Sequence, residues 1–448
     1  MIPPLLLESL QRVEGFDKSL FEAVHLSGEQ VTSIRFNPAK KAMPTKDGKP
    51  IPWCPHGYYL PQRPSFTFDP IFHAGGYYVQ EASSMFLWEV LKQTIGINTT
   101  GLKVLDLCAA PGGKSTLLAS YFAYGLIVSN EVIKARASVL VENITKWGSS
   151  NVVVTNNDPA HFKALENYFD VIVIDAPCSG SGLFRRDPSA IEEWSENNVR
   201  LCSQRQERIV ADILPCLKQG GTLIYSTCSY SKEEDEEVLD KLTTSHSLES
   251  NRIILQDSWG IIETQSEEKA AYGYRFYPYL TQGEGFFIAA FTKQDGGAEG
   301  YCPEQKLPLP NKVEQETINN FIAIPQNYSL FKQGEAIKAV PTEFLTALQV
   351  LAKQLYIKKA GIEIGTIKGK DVIPHHELAM SYLPLNHFNT LELNELQALQ
   401  YLRRQDLFIE SKTGWNLIVY CGLPLGWAKV LPNRMNNYYP QAWRILKD

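Results

Sequence analysis

The strongest constraint on the fold of this chain is an alternation of apolar and helical segments between residues 102 and 292. Six apolar segments are rich in Val and Ile, as buried parallel strands are; they are Leu102–Leu107, Leu126–Val128, Val152–Val154, Val171–Ile174, Thr222–Tyr225 and Phe286–Phe291. Segments with helical spacing lie between most of them, for example Ser115–Phe122, Val132–Trp147 and Ser195–Leu217. The pattern predicts an α/β domain with a doubly wound sheet and right-handed crossovers.

The regions before and after this alternation have different residue patterns. Residues 1–95 combine an amphipathic start with a turn-rich middle, and residues 296–312 are rich in Gly, Pro and acidic residues. The C-terminal part ends in short segments rich in Gly, Pro and aromatic residues. We therefore predict an N-terminal domain (1–95), a central domain (96–295), a linker (296–312) and a C-terminal extension (313–448).

Composition and charge argue against several classes of protein. The chain has no apolar run of membrane-spanning length and no basic start of a signal peptide, so we expect a cytoplasmic protein. Its eight cysteines include no C-x-x-C pair, and we expect neither disulfides nor a metal site. The net charge of −6 argues against a nucleic-acid partner when it is taken for the whole chain.

Two segments nevertheless carry a local excess of positive charge. Between Arg35 and Arg63 there are six basic residues and one acidic residue, with aromatic residues interleaved. The last 38 residues carry five basic residues and one acidic residue. Basic and aromatic side chains together suit the phosphates and bases of RNA, although a solvated loop beside ordinary core aromatics is the alternative.

A loop of small residues follows the first predicted strand and precedes a helix. It comprises Cys108, Ala109, Ala110, Pro111, Gly112, Gly113 and Lys114. Small residues let a backbone approach a ligand at the carboxyl edge of a sheet. The loop is not a P-loop, because Cys108 stands where the first Gly is required, and it lacks the G-x-G-x-x-G of a dinucleotide site.

Acidic residues follow the next two predicted strands. Glu131 comes directly after the second strand, where a carboxylate can accept both hydroxyls of a ribose. Asp158 lies just beyond the third strand, within reach of an adenine edge. Either acid alone is more often a cap or a surface residue. Together with the loop, they predict a nucleoside cofactor without a phosphate chain, such as S-adenosylmethionine.

The fourth and fifth predicted strands each end in a loop that carries a cysteine. Cys178 lies in Asp175–Gly182, and Cys228 lies in Ser226–Tyr230. Because parallel strands end at one edge of the sheet, we expect both thiols beside the cofactor. A single cysteine is more often a small core residue, and that interpretation is kept for Cys54, Cys202, Cys216, Cys302 and Cys421.

A thiol beside a methyl donor suggests methylation of cytosine at carbon 5. A thiolate that adds to carbon 6 makes carbon 5 able to attack a sulfonium methyl. The proton on carbon 5 must then be removed and the thiol expelled, for which a second acid/base group is useful. Asp175 provides a carboxylic acid for the ring nitrogen N3. An amino-methylating enzyme would carry Asn/Asp-Pro-Pro-Tyr/Phe in place of Asp175–Cys178.

An acidic run follows the Cys228 loop. Ser231 and Glu234 have the spacing of a capping box, and the acidic residues of Glu233–Glu237 favour a helix N-terminus. The run is therefore interpreted as structural.

As a set, these motifs resemble the RNA 5-methylcytosine methyltransferases of the NSUN/RsmF (Sun) family. The matching segments are Arg35–Asn37, Tyr78–Met85, Asp106–Ser115, Glu131, Asp158, Asp175–Gly182, Arg185–Pro188, Tyr225–Tyr230 and Gly283–Phe287. The segments Gly422–Lys429 and Asn436–Pro440 are similar to the C-terminal extension of bacterial RsmF enzymes. The resemblance implies a Rossmann-like methyltransferase domain, an N-terminal α+β RNA-binding segment and a PUA-like domain at about 385–448.

The resemblance also implies roles for individual residues. It assigns the covalent nucleophile to Cys228 and product release to Cys178, with Asp175 as a further catalytic residue. Contacts with the methyl donor or its pocket would come from Cys108–Lys114, Glu131, Asp158 and Asp175. The predicted RNA-binding residues are Arg35, Asn37, Lys40, Lys41, Arg185, Arg186, Lys429 and Arg434.

We therefore expect an S-adenosylmethionine-dependent RNA cytosine-5 methyltransferase that is a monomer and acts on 16S ribosomal RNA. The target cytosine would be flipped or single-stranded, because the pocket lies at a sheet edge. Two alternatives remain open: the same chemistry on tRNA, and a non-catalytic RNA-binding assembly factor.

Overall fold

The N-terminal region forms a small α+β unit in the computed structural model, which describes residues 2–40, 47–407, 409 and 411–447. Its helices are α1 (Pro4–Leu10), α2 (Lys18–Leu26), α3 (Pro70–His73) and α4 (Leu87–Thr94). Its strands are β1 (Thr32–Phe36), β2 (Lys49–Ile51), β3 (Cys54–Leu60) and β4 (Tyr77–Val79). They pair antiparallel in the order β2-β3-β1-β4, which confirms the α+β character predicted for this region.

The alternating region forms the largest sheet of the described chain. Its strands are β5 (Lys103–Asp106), β6 (Leu126–Asn130), β7 (Val152–Thr155), β8 (Phe169–Asp175), β9 (Leu217–Thr227), β10 (Leu248–Ser250), β11 (Ile262–Gln265), β12 (Tyr272–Phe276) and β13 (Phe286–Lys293). The helices between them are α5 (Gly113–Tyr121), α6 (Lys134–Trp147), α7 (Ser189–Glu193), α8 (Glu196–Ile213) and α9 (Glu236–Ser245).

The order of these strands is that of a doubly wound, Rossmann-like sheet. Strands β7-β6-β5-β8-β9 are parallel neighbours, and β13 joins β9 antiparallel, followed by β12 and β11. The strand order reverses at β5, so the carboxyl ends of β5 and β8 border the crevice where such sheets bind ligands. Val and Ile fill the strands because both faces of the sheet are covered by apolar cores.

The C-terminal region forms two further small sheets. Its helices are α10 (Lys312–Phe321), α11 (Leu345–Gln354), α12 (His376–Met380) and α13 (Glu395–Leu402). Its strands are β14 (Tyr328–Gln333), β15 (Ala336–Pro341), β16 (Ile357–Lys359), β17 (Ile362–Lys368), β18 (Asp371–Pro374), β19 (Asn389–Glu392), β20 (Gly414–Tyr420), β21 (Leu423–Leu431) and β22 (Arg434–Asn437). One sheet has the order β14-β15-β17-β18, and the other has the order β19-β20-β21-β22.

The C-terminal region is joined to the central sheet by more than the chain connection. Strand β16 pairs antiparallel with β7 and so becomes an edge strand of the central sheet. The segment predicted as a linker is packed as well, since Leu307 lies against the central core and the Gln305 amide donates to the Gln349 carbonyl over 3.0 Å.

All three regions meet at the C-terminal end of α6. Gly148 follows this helix with φ +91°, and a Cβ at this position would lie 2.3 Å from the Met380 carbonyl oxygen. Only glycine combines this left-handed conformation with so close an approach. The junction therefore depends on the glycine at position 148.

Among the described residues, none of the helices combines the length and the apolar character needed to cross a membrane.

Candidate active site

The loop between β5 and α5 is held open at the carboxyl edge of the sheet by contacts from neighbouring elements. The Arg136 guanidinium donates to the Ala110 carbonyl over 2.6 Å, and the Asn143 amide donates to the Pro111 carbonyl over 2.7 Å. Gly112 has φ +117°, and a Cβ there would lie 3.1 Å from a Leu140 methyl group. The small residues of the loop therefore permit its close packing on α6, and this packing leaves the loop backbone at the crevice.

The end of β5 carries a buried carboxylate directly beneath this loop. Asp106 is fully buried, and Ser115 Oγ donates to its Oδ2 over 2.6 Å. Its Oδ1 has no hydrogen-bond partner among the described residues. Burial raises the pKa of Asp106 to about 7. An unpaired buried oxygen is costly unless a ligand satisfies it.

The two predicted acidic residues occupy the ends of β6 and β7. Glu131 is 2 % exposed, accepts from the Ile133 amide over 2.9 Å and lies 3.4 Å from the Arg136 guanidinium. Asp158 is half-buried and caps the following turn by accepting from the Ala160 amide over 3.0 Å. Both residues follow the carboxyl ends of their strands. Asp158 also forms a capping hydrogen bond, which is the alternative role considered for it in the sequence analysis.

This set of groups fits S-adenosylmethionine. The carboxylate of Glu131 suits ribose hydroxyls, the free oxygen of Asp106 suits an ammonium group, and the loop backbone can approach the ligand closely. The acidic groups disfavour a phosphate chain at the same edge, because phosphates would meet negative charge there.

A cavity of about 300 Å³ adjoins the loop and brings several predicted residues together. Its lining includes Cys108, Lys114, Asp175, Arg186, Cys228 and Glu284. Lys114 Nζ lies 2.8 Å from Asp175 Oδ2 and 5.0 Å from the centre of the Phe286 ring. Asp175 Oδ1 accepts from Ser226 Oγ over 2.9 Å. A thiol, a carboxylate and an ammonium group thus face one cavity beside the loop Cys108–Lys114, which we call the cofactor loop.

Cys228 lines this cavity, and Cys178 is not among its lining residues. Both thiols are half-buried. The neighbouring Cys228 thiol, together with burial, raises the pKa of Cys178. Their loops are also joined by the backbone, because the Gly182 amide donates to the Cys228 carbonyl over 2.8 Å. The predicted pairing of the two cysteine loops is thus present in the structure.

Most of the residues predicted to bind RNA in the N-terminal segment are buried, so the prediction of a free basic surface there is wrong for them. Arg35 is fully buried and donates to Gln80 and Thr116. Lys40 is 7 % exposed and donates to the Ala74 and Lys146 carbonyls over 2.7 and 2.6 Å.

Asn37 is buried in the same junction, where it donates to the Gly75 and Trp147 carbonyls over 3.1 and 2.9 Å. Protein carbonyls and side chains occupy the donors that RNA was expected to use. Lys41 lies outside the described residues.

The two arginines after the Cys178 loop differ from each other. The Arg185 side chain is 5 % exposed, donates to the Gly283 and Glu29 carbonyls and lies 3.6 Å from Glu284 Oε2. The prediction that Arg185 faces RNA is therefore also wrong in this structure. Arg186 is exposed at the rim of the cavity, and its guanidinium makes no hydrogen bond or ion pair with the residues that the structure describes.

The two basic residues predicted in the C-terminal tail are accessible. Lys429 is half-buried, with its Nζ 5.3 Å from the centre of the Trp415 ring, and Arg434 is exposed on β22. The register places Trp415 opposite Lys429 and Lys429 opposite Asn436 across three strands.

Glu284 is a site residue that sequence reasoning did not single out. It is 5 % exposed and lines the cavity, and burial raises its pKa to about 7. Its backbone amide donates to Glu81 Oε1 over 2.9 Å. Its position inside the family-like segment Gly283–Phe287 is the available signal, but no local pattern indicates that this segment reaches the cysteine loops.

Three protein-family descriptions match consecutive parts of the chain. The family described as 16S rRNA methyltransferase RsmB/F matches residues 98–292. The N-terminal domain of 16S rRNA methyltransferase RsmF matches residues 2–82, and the methyltransferase RsmF PUA domain matches residues 388–445.

Curated relatives match along most of the chain. Ribosomal RNA small subunit methyltransferase F of Shewanella halifaxensis is 30% identical over 89% of this chain and 86% of its own length. The protein of the same name from Shewanella loihica is 29% identical over 88% of this chain and 83% of its own length.

Solved structures support the fold, and the sequence comparisons establish the family. A methyltransferase homolog protein from Pyrococcus horikoshii, 28% identical, covers 65% of this chain and all of its own chain with a TM-score of 0.51. NSun6 from Pyrococcus horikoshii with SFG, 19% identical, covers 65% of this chain and 98% of its own with a TM-score of 0.54. With the Rossmann-like sheet, the N-terminal α+β unit and the C-terminal PUA match all present, the chain belongs to the ribosomal RNA small subunit methyltransferase F family.

Proposed function

We propose that this protein is an S-adenosylmethionine-dependent methyltransferase that modifies carbon 5 of cytosine in 16S ribosomal RNA. The observation that carries the proposal is the meeting of Cys228, Asp175 and Lys114 in one cavity beside the cofactor loop, with the Cys178 loop joined to the Cys228 loop by the Gly182 amide. The names of the relatives supply the substrate class, because those proteins are described as ribosomal RNA small subunit methyltransferases.

The first step of the proposed reaction belongs to Cys228. Its sulfur, as the thiolate, forms a bond to carbon 6 of the target cytosine, and the ring becomes nucleophilic at carbon 5. Asp175, as the protonated carboxylic acid, would donate a hydrogen bond to N3 of the ring, where the added electron density collects. S-adenosylmethionine would supply the methyl group to carbon 5. Lys114 Nζ lies 2.8 Å from Asp175 Oδ2 and so restricts the orientation of the Asp175 side chain.

The second step belongs to Cys178. Carbon 5 must lose its proton to a base, and the bond between carbon 6 and the Cys228 sulfur must then break. Cys178 is assigned to this release, as the thiolate that accepts the carbon-5 proton, because its loop is joined to the Cys228 loop by the Gly182 amide, which donates to the Cys228 carbonyl over 2.8 Å. The electron pair of the carbon–hydrogen bond then restores the double bond between carbons 5 and 6 and expels the Cys228 sulfur as a thiolate. Cys228 and Cys178 thus have different roles, nucleophilic addition and product release, although they lie in neighbouring loops.

The RNA must present an extruded or single-stranded base, because the cavity opens at a sheet edge that a paired base cannot enter. Arg186 stands at the rim of the cavity, while Lys429, Arg434 and Trp415 offer charge and a stacking surface in the PUA-matching region. Phosphate contacts from these residues would position the RNA without reading its sequence.

The proposal is tested by incubating the purified protein with S-adenosylmethionine and 16S ribosomal RNA, followed by nucleoside mass spectrometry for 5-methylcytidine. We expect 5-methylcytidine with the native protein. We expect Cys228→Ala to reduce its formation by at least about 10⁴-fold, the scale of losing a covalent nucleophile. Binding of S-adenosylmethionine should be retained, because the cofactor loop is unchanged.

The matched control is Cys421→Ala, which removes an exposed thiol in the turn between β20 and β21 and should leave the rate unchanged. A parallel incubation with tRNA distinguishes the substrates, and methylation of tRNA alone would contradict the ribosomal assignment. Absence of 5-methylcytidine from both RNAs, with the cofactor bound, would favour a non-catalytic assembly factor.

A further inference from the structure

The carboxylate of Glu234 lies beneath both cysteine loops. The residue ends a short 3₁₀ turn, Lys232–Glu234, that follows the Cys228 loop, and it is fully buried. The capping box predicted from Ser231 and Glu234 is not formed, because the Ser231 side chain makes no capping hydrogen bond. The Glu234 side chain instead points into the protein toward the loops that carry the thiols.

One side of this carboxylate holds the Cys178 loop. Glu234 Oε1 accepts from the Ser179 amide over 2.8 Å, and Oε2 accepts from Ser179 Oγ over 2.5 Å. Gln206 Nε2 donates both to Glu234 Oε1 over 3.1 Å and to the Pro177 carbonyl over 3.0 Å. Ser179, which follows Cys178, is therefore bonded directly to the Glu234 carboxylate, and Pro177, which precedes Cys178, is connected to it through Gln206.

The other side of the carboxylate holds the Cys228 loop. Ser229 Oγ donates to Glu234 Oε2 over 2.7 Å and accepts from the Ser231 amide over 3.0 Å. The Tyr225 hydroxyl on β9 donates to the Glu234 carbonyl over 2.7 Å and so fixes the turn itself. One side chain thus bonds to the residue that follows Cys178 and to the residue that follows Cys228.

A carboxylate is suited to this position because each of these neighbouring groups donates. Ionised carboxylate oxygens only accept, and here they receive four hydrogen bonds. A buried charge is an expensive way to fill space, since apolar side chains pack a core at lower cost. The arrangement of its partners around the two thiols therefore indicates a purpose beyond packing.

We propose that Glu234 is a positioning residue that sets the spacing between Cys178 and Cys228 during methyl transfer. The proposal rests on the proposed function, in which one thiol adds to the base and the other serves its release. Glu234 is not among the residues that line the cavity. Its effect on the reaction is transmitted through Ser179 and Ser229.

The test compares Glu234→Ala and Glu234→Gln with the matched control Glu233→Gln. Glu233 is exposed in the same turn, so its substitution changes the charge without touching either loop. The rate of methyl transfer is measured per site that binds S-adenosylmethionine, which counts only folded protein. We expect Glu234→Ala to lower this rate on the order of 100-fold, the cost of a misplaced reacting group.

Glu234→Gln keeps the shape, and its amide can donate to a serine hydroxyl, so we expect an intermediate rate. Glu233→Gln should match the native protein within about twofold. Affinity for S-adenosylmethionine should not change in any variant. A lower melting temperature with the native rate per binding site would show a merely structural role and would overturn the proposal.

A second measurement does not depend on methyl transfer. Mild oxidation with diamide, which takes up the two electrons and two protons released, joins the two thiols in a disulfide, and peptide mass spectrometry follows the formation of the Cys178–Cys228 link. We expect the native protein and Glu233→Gln to form it quickly. We expect Glu234→Ala to form it about tenfold more slowly, because the effective concentration of one thiol at the other falls.

The two measurements separate failure of the proposal from failure of the proposed function. An unchanged rate of disulfide formation in Glu234→Ala would overturn the positioning role whatever the enzyme methylates. Slower disulfide formation in this variant, with no cytosine methylation by the native protein, would contradict the proposed function and still support Glu234 as the residue that spaces the thiols.

Discussion

At the scale of single residues, burial decides what a basic side chain can bind. Lys40 looks like a phosphate contact in the sequence, but its ammonium group is buried against two backbone carbonyls, and burial lowers its pKa to about 7. Arg186 has the same kind of charge and remains exposed at the cavity rim. The local charge excess around Arg35–Arg63 therefore overstated the RNA surface, because part of it serves the junction between regions.

This difference predicts opposite behaviour for Asn37→Ala and Arg186→Ala. Asn37 satisfies the Gly75 and Trp147 carbonyls, and its loss should lower the free energy of unfolding by about 1–3 kcal/mol while RNA affinity stays unchanged. Arg186→Ala should leave stability within about 0.5 kcal/mol. It should weaken RNA binding and reduce the slope of log affinity against log salt by about 1.

Chemical denaturation and RNA titrations at several salt concentrations measure both quantities. A reduced salt dependence for Asn37→Ala would show that this residue reaches a phosphate after all. An unchanged salt dependence for Arg186→Ala would remove Arg186 from the RNA interface.

At the scale of elements, the strands with long apolar runs could be predicted and the short antiparallel ones could not. The six predicted strands correspond to β5, β6, β7, β8, β9 and β13, most of them a few residues longer in the structure. Strands β10, β11 and β12 escaped prediction because each is three to five residues long and mixes polar with apolar residues. Strand β16 escaped because its partner β7 lies about 200 residues earlier, and no local pattern encodes that pairing.

The turn that contains Glu234 shows a different limit of sequence reasoning. Its spacing matched a capping box, and a capping box is a local motif that requires only neighbouring backbone. The structure satisfies Glu234 with Ser179 and Gln206, which are 55 and 28 residues away. A sequence pattern identifies groups that could form local hydrogen bonds, but it cannot show that the actual partners come from distant parts of the chain.

At the scale of the whole molecule, a buried histidine lies where the C-terminal region packs on the rest of the chain. His376 is 6 % exposed, and its ring packs edge-on against Tyr439 and Trp443 with centroids 5.4 and 5.2 Å away. Neither ring nitrogen has a hydrogen-bond partner among the described residues. Burial, followed by the positive charges of His375, Lys146 and Lys40, lowers the pKa of His376 to about 3.

This burial predicts that the stability of the packed molecule depends on pH. The unfolded chain binds a proton at His376 as the pH falls through about 6.5, whereas the native ring stays neutral down to about 3. The free energy of unfolding should therefore fall as the pH drops below 6.5. His376→Phe removes this contribution, so its stability relative to the native protein should rise by about 1 kcal/mol between pH 7.5 and pH 5.5.

Thermal or denaturant unfolding at the two pH values provides the measurement. His161→Gln is the matched control, because His161 is exposed in the central domain and its substitution should leave the difference between the two pH values unchanged. An equal pH dependence in the native protein and His376→Phe would show that His376 does not remain neutral in the folded state.

In the proposed mechanism, Cys228 carries the cytosine and Cys178 releases it. The most direct test incubates Cys178→Ser with S-adenosylmethionine and 16S ribosomal RNA, digests the product with nuclease and protease, and locates any attached nucleotide by tandem mass spectrometry. We expect a methylated cytidine bound to the sulfur of Cys228, because addition and methylation proceed and release does not. The absence of such an adduct, or its attachment to a residue other than Cys228, would contradict this mechanism if the native protein methylates cytosine.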